Sequence, residues 1–123
     1  MLHISLRDWA DVVVLAPLSA HTLAKVANGL CDDLLSSIMR AWDYEKPVVL
    51  APAMNTNMWD HPLTEPQLRT IQGFSPKGLV SVVDPISKEL ACGQVGKGAL
   101  ADVDSVVQAV ARALERSISS ESA

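Results

Sequence analysis

Residues 47–62 read PVVLAPAMNTNMWDHP. The run from Pro47 to Ala51 is continuously apolar, the pattern of a parallel strand covered on both faces. The chain then leaves through Pro52 and places Met54, Asn55, Asn57, Met58 and Trp59 in a short stretch. Loops of plain structural purpose carry Gly, Ser, Asp or Lys instead. A buried strand followed by this loop therefore sets both the fold class and the place to look for chemistry.

A second run of the same kind, VVVLA at 12–16, also ends in Ala-Pro. Between the two runs, a helical span over 20–42 is predicted to break near Asn28-Gly29. Asp32 and Asp33 suit the start of a second helix through capping and charge. Leu34, Leu35, Ile38, Met39 and Trp42 recur at helical spacing and define its expected core face. After the second run, TEPQLRTIQGF (64–74) reads as a short helix stopped by Gly73, and LVSVV (79–83) as a third strand. ACGQVGKGAL (91–100) reads as a Gly-rich loop. A last helix over 103–116 places Val106, Val107, Val110 and Leu114 on one side, and SISSESA (117–123) is expected to be a disordered tail.

Alternation of strand and helix predicts an α/β fold with right-handed crossovers and a parallel sheet, in one domain over residues 1–116. Three strands make a thin sheet, and LHISLRDWAD (2–11) opens like a helix or turn already in progress. The domain is therefore expected to lack upstream strands. The edge of its first strand would then be exposed, or covered by another subunit.

Composition narrows the function classes. The 123-residue chain is 49% hydrophobic and carries a formal net charge of −4 without a basic stripe, which points away from nucleic acid and anionic membranes. Its longest apolar run, VVVLAPL, is too short to span a bilayer. Two cysteines, Cys31 and Cys92, make no disulfide framework and suit a reduced, cytoplasmic setting. Cys31, on a helical segment, reads as a small buried apolar residue.

Ligands of open parallel sheets bind beyond the carboxyl ends of the strands. Three loops are placed to converge there: APLSAHT (16–22), APAMNTNMW (51–59) and ACGQVGKG (91–98). His3 suits a general base or a plain surface residue. Ser19 and His21 suit a helix cap, or a phosphate contact at a helix N-terminus. Asn55 and Asn57 offer amide donors to a carboxylate or carbonyl, and are also ordinary turn residues. Met54, Met58 and Trp59 are either core or loop function. Cys92, beside Gly93 and near Gly96 and Gly98, is a thiol within reach of a ligand, whereas His61 before Pro62 reads as structural. No CxxC, HExxH, GxSxG or Walker pattern occurs, so neither a metal site nor those enzyme classes are indicated.

PAMNTNMW (52–59) resembles the P-x-M-N-x-x-M-W motif of the homo-oligomeric flavin-containing cysteine decarboxylases, and APLSAHTLAK (16–25) resembles their P-A-S-A-N-T motif. LHISLRDWAD, CDDLLSSIMRAWD (31–43) and LACGQVGKGALAD (90–102) resemble further segments of that family, in its order. The resemblance implies a three-layer α/β/α, Rossmann-like or flavodoxin-like sheet, FMN as cofactor, and a homotrimer with the site between subunits. It implies a small-molecule substrate, 4′-phospho-N-pantothenoylcysteine, decarboxylated to 4′-phosphopantetheine in coenzyme A synthesis.

By the same resemblance, His3 and Cys92 are the catalytic residues, with Cys92 the proton donor. Asn55, Met58, Ala91 and Gly93 bind substrate, and Ser19, Ala20, His21, Thr22 and Met54 bind the flavin. The chain departs from the family pattern in three places. The upstream strands are lacking, His21 stands where the family has Asn, and FSPKGLVSVVDPISKE (74–89) is only loosely matched. A non-catalytic relative, or a truncated form acting as an oligomeric binding or phosphatase-regulatory subunit, is the alternative.

Overall fold

A computed structural model describes residues 1–89 and 95–122. In chain order the elements are α1 (Leu2–Trp9), β1 (Val13–Leu18), α2 (Ala20–Asn28), α3 (Leu34–Ala41), β2 (Val48–Pro52), α4 (Thr56–Trp59), α5 (Thr64–Gln72), β3 (Val80–Val82), β4 (Ile86–Glu89), β5 (Val95–Ala99) and α6 (Val103–Ser122). Strands β1, β2 and β3 form a parallel sheet in that order, with Val13 opposite Val48 and Val48 opposite Val80.

The unbroken apolar run becomes the central strand: every residue of β2 is buried. Val48 and Leu50 face a core shared with Leu15, Leu23, Met39, Leu68 and Ile71. Val49 and Ala51 are equally buried but lie outside that cluster. Side chains alternate along a strand, so these two face the opposite side, where α6 packs on β2 and buries Ala113. The result is the expected three-layer α/β/α arrangement. Each large aliphatic side chain taken from water in β2 contributes about 1.5–3 kcal/mol.

Strand β1 is at one edge of the sheet, with Val14 partly exposed, and its register with β2 shifts between Leu15 and Leu18. Helix α1 buries none of its residues and leaves Leu2 and Trp9 in solvent. Lys46 ties it down by donating from Nζ to the carbonyls of Arg7 (3.3 Å) and Ala10 (3.1 Å) at its C-terminal end.

The predicted break in the helical span occurs at Gly29, which adopts a left-handed conformation (φ 77°) and ends α2 with N–H bonds to the carbonyls of Lys25 and Val26. The Asp33 side chain then caps α3 in a capping box with Ser36. Lys25, only 7% exposed, ion-pairs with Asp32 (2.6 Å) and Asp33, joining the end of one helix to the start of the next. Hydrogen bonds to Asp32 and Asp33 raise the Lys25 pKa. The bond from Lys25, helped by Ser36, holds the Asp33 carboxyl well below its usual range.

Several expectations need correction. Leu34 and Leu35 are exposed, since the core face of α3 is carried by Met39 and by Trp42 just beyond it. Cys31 is an exposed free thiol in the α2–α3 loop, not a buried helical residue. The Gly-rich segment is not simply a loop: residues 95–99 form β5, paired antiparallel with β4. Helix α6 continues through Ser122, past the expected tail, and Val107 on it is exposed while Ala113 is the buried contact.

Candidate active site

Two of the three loops singled out at the carboxyl end of the sheet are built around helix starts. After β1, Ser19 has extended backbone, and its Oγ accepts the Thr22 N–H at 3.1 Å, so it caps α2. The Ser19 hydroxyl is thereby engaged in the cap. Ala20 and His21 are the first two residues of α2, and His21 is exposed there. Amide N–H groups at this position have no acceptor within a helix.

After β2, Asn55 does the same for α4: its Oδ1 accepts the Met58 N–H at 2.9 Å. That bond fixes the orientation of the amide, because the oxygen is used and the NH₂ group remains as donor. The following chain is wound tightly. Trp59 N–H bonds to the Asn55 carbonyl (2.9 Å), His61 N–H to the Met58 carbonyl (3.3 Å) and Thr64 N–H to the His61 carbonyl (3.0 Å). The buried Thr64 hydroxyl also donates to the Met58 carbonyl. A short segment that would otherwise be a mobile loop is so held in one shape, with Met58 about half exposed at 49%.

The β4–β5 hairpin lies against this loop. Met54 N–H bonds to the Gly98 carbonyl at 2.9 Å. A Cβ on Gly98 would meet the Met54 carbonyl oxygen at 2.1 Å, and one on Gly96 would meet Thr56 Oγ1 at 2.3 Å. Lys97 places its ammonium 5.7 Å from the centre of the Trp59 ring. Glycine at both positions is what lets the strand come so close.

Between α2 and this loop is a cavity of about 410 Å³. Ala20 and Ala24 form one wall, and Asn55, Asn57, Met58, His61, Leu63, Thr64 and Gln67 the others. The structure therefore brings together Ala20 and the pair Asn55 and Met58, which the sequence connects only through resemblance. Thr22 and Met54 sit on the flanking elements, Thr22 in α2 and Met54 under Gly98. His3 is half-buried on α1, which packs on α3, and is not among the walls of this cavity. Ala91, Cys92 and Gly93 lie outside the described residues. Leu63, Thr64 and Gln67 carry no sequence motif, and Ala24, though within the 16–25 stretch, was not singled out; these four are found only through their position around the cavity.

Comparison with known proteins places this geometry in a family. The flavoprotein family model matches residues 1–115, and the chain belongs to that family. Phosphopantothenoylcysteine decarboxylase of Oryza sativa subsp. japonica is 56% identical over 111 residues, covering 88% of this chain and 49% of the relative. The protein of the same name from Mus musculus is 48% identical over 116 residues, covering 94% and 55%. This chain thus spans about half the length of these relatives. Among solved structures, a PPC decarboxylase variant complexed with pantothenoylaminoethenethiol superposes with a TM-score of 0.79 at 51% identity, covering 91% of this chain and 59% of the other. The FMN-binding protein AtHal3 gives the same score and identity over 91% and 58%. The Rossmann-like, flavodoxin-like α/β fold expected from the sequence is the fold of these structures.

Proposed function

We propose that this chain carries the substrate-binding part of an FMN-dependent phosphopantothenoylcysteine decarboxylase, a carbon–carbon lyase. Its reaction would convert 4′-phospho-N-pantothenoylcysteine to 4′-phosphopantetheine in coenzyme A synthesis. The observation that carries this reading is Asn55: the α4 cap fixes its amide by using the oxygen as an acceptor, which leaves the NH₂ group as a donor at the cavity it borders with the apolar Met58. An oriented amide NH₂ at such a cavity suits a carboxylate, which accepts hydrogen bonds and donates none. The names of the similar proteins, and the enethiol bound to one of them, point to the same substrate class.

The residues present fit FMN. The start of α2 offers the amides of Ala20 and His21 to polar acceptors of a cofactor, and the small Ala20 and Ala24 side chains leave an apolar wall. When bound, the flavin supplies reversible two-electron oxidation of the cysteinyl CH₂–SH to a thioaldehyde, whose C=S group accepts the electron pair released with CO₂. The protein would then orient and protonate. Asn55 holds the carboxylate, Met58 keeps water from it, and the tight 54–64 segment fixes both. In the role carried over from the resemblance, Cys92 returns a proton to the enethiolate carbon. His3 would serve a neighbouring subunit's site in a homotrimer, in keeping with its place outside the cavity bordered by Asn55.

The test is the absorption spectrum of the purified chain, followed by assay of CO₂ release. Stoichiometric flavin and formation of 4′-phosphopantetheine support the proposal. A protein that takes up added FMN yet leaves the substrate unchanged would overturn it.

A further inference from the structure

His61 lies three residues beyond Met58 and six beyond Asn55, on the same tightly wound segment, and borders the same cavity. Its ring is not free to turn, because Nδ1 accepts the Leu63 N–H at 3.1 Å. A ring nitrogen that accepts a hydrogen bond carries no proton, so the neutral ring holds its hydrogen on Nε2. Among the described residues nothing accepts from that Nε2–H. The ring also borders a second cavity of about 580 Å³ that contains Asp60, Glu65 and Asp84, yet none of those carboxylates pairs with it.

The cavity shared with Asn55 has a particular chemistry. Its walls are Ala20, Ala24, Met58 and Leu63 on the apolar side, and among the described residues no acidic side chain borders it. The Thr64 hydroxyl is already spent on the Met58 carbonyl. Asn57 and Gln67 also border it, but no hydrogen bond among the described residues fixes their amides. Two donors are therefore held in place: the NH₂ of Asn55, set by the cap, and the Nε2–H of His61, set by the Leu63 bond. A carboxylate has two oxygens, and one amide cannot saturate both.

We propose that His61 is a second donor to the substrate carboxylate, acting beside Asn55 as a neutral binding residue. This rests on the decarboxylase reading above and adds to it the group that distinguishes the substrate from its product. The two ligands differ by that carboxylate alone, so His61 would favour the substrate and let the product leave.

The experiment compares two substitutions by isothermal titration of the flavin-loaded protein, kept anaerobic and reduced by dithionite so that the thiol ligand is not oxidised. His61→Asn keeps an acceptor for the Leu63 N–H, as an Asx turn does, but removes the distal donor. His61→Gln returns an N–H near the position of Nε2. We expect His61→Asn to weaken 4′-phospho-N-pantothenoylcysteine about tenfold or more while leaving 4′-phosphopantetheine within about twofold, and His61→Gln to recover most of the loss. Unfolding midpoints of all three proteins should agree. An unchanged affinity in His61→Asn, or an equal loss for both ligands in both variants, would overturn the proposal. So would a wild-type protein that binds the two ligands equally well. A wild-type protein that binds neither ligand would overturn the decarboxylase reading itself, and this inference with it.

Discussion

The Gly98 carbonyl accepts the Met54 N–H at 2.9 Å, and the space where a Gly98 Cβ would stand is taken by the Met54 carbonyl oxygen, 2.1 Å away. Strand β5 and the loop after β2 are thus in backbone contact with no side chain between them. Gly98 also has a φ of 147°, which L side chains rarely adopt. Gly98→Ala should therefore push the hairpin off the loop and cost about 1–3 kcal/mol. Thermal unfolding reads the stability, and ligand affinity should fall with it because Asn55 is adjacent to the displaced Met54. A variant with unchanged melting temperature would show that the hairpin is not packed there.

Asn55 has two separable roles, and two substitutions tell them apart. Asp caps a helix as well as Asn, so Asn55→Asp should keep the α4 cap and the fold. It replaces a donor with a charged acceptor, and should reduce kcat/KM for a carboxylate substrate by about a hundredfold or more. Asn55→Ala loses the cap as well, at about 1 kcal/mol. Steady-state decarboxylation beside thermal melts checks both statements. Turnover in Asn55→Asp equal to wild type would remove Asn55 from the carboxylate site.

Leu50 is fully buried in the central strand, within the main core cluster. Leu50→Ala should destabilise the domain by about 2–5 kcal/mol, more than a comparable change at the exposed Leu34 or Leu35 of α3. Denaturant midpoints of the three alanine variants would show the ranking. Equal losses at all three positions would mean that α3 is covered in solution on the face shown here as open.

These contrasts mark what could be read from the sequence and what could not. The strand at 48–52 was legible because a doubly covered strand is uniformly apolar, that at 80–82 because it is a short β-branched run after Gly78, and the α2–α3 break because Asn-Gly-x-x-Asp-Asp carries both stop and start chemistry. Leu34 and Leu35 misled because helical spacing identifies a face but not which neighbour covers it. The β5 strand was hidden because Gly96 and Gly98 have low strand propensity; they are there to permit contact with Thr56 and Met54, a long-range requirement. In the candidate site, Asn55, Met58 and Ala20 were marked by motif. Thr64, Leu63 and Gln67 were not, since a cavity wall assembled from two helices has no periodicity of its own.

The acid limit of stability should be set by Asp32 and Asp33, and the alkaline limit by Tyr44 and Lys25. Hydrogen bonds from Lys25 lower the Asp32 and Asp33 carboxyls below their ordinary value, so both bind protons less readily folded than unfolded. Their contribution is complete above the unfolded carboxylate pKa of about 3.9 and is lost as pH falls below it toward the folded values. At the other end, burial pushes the Tyr44 hydroxyl, which donates to the Met39 carbonyl at 3.0 Å, up to about 12. A group raised in the folded state stabilises below its unfolded pKa, so the Tyr44 contribution fades as pH rises from about 10 to about 12. Lys25, also raised, acts in the same direction above its ordinary value of 10.5. Lys25→Met should therefore flatten the stability profile on the acid side, leaving Asp32 and Asp33 without their partner, and remove the Lys25 share of the alkaline side, while Tyr44→Phe should flatten only the alkaline side. Urea unfolding midpoints across the pH range measure both, and an acid limb in Lys25→Met as steep as in wild type would show that the Lys25 clamp is not formed in solution.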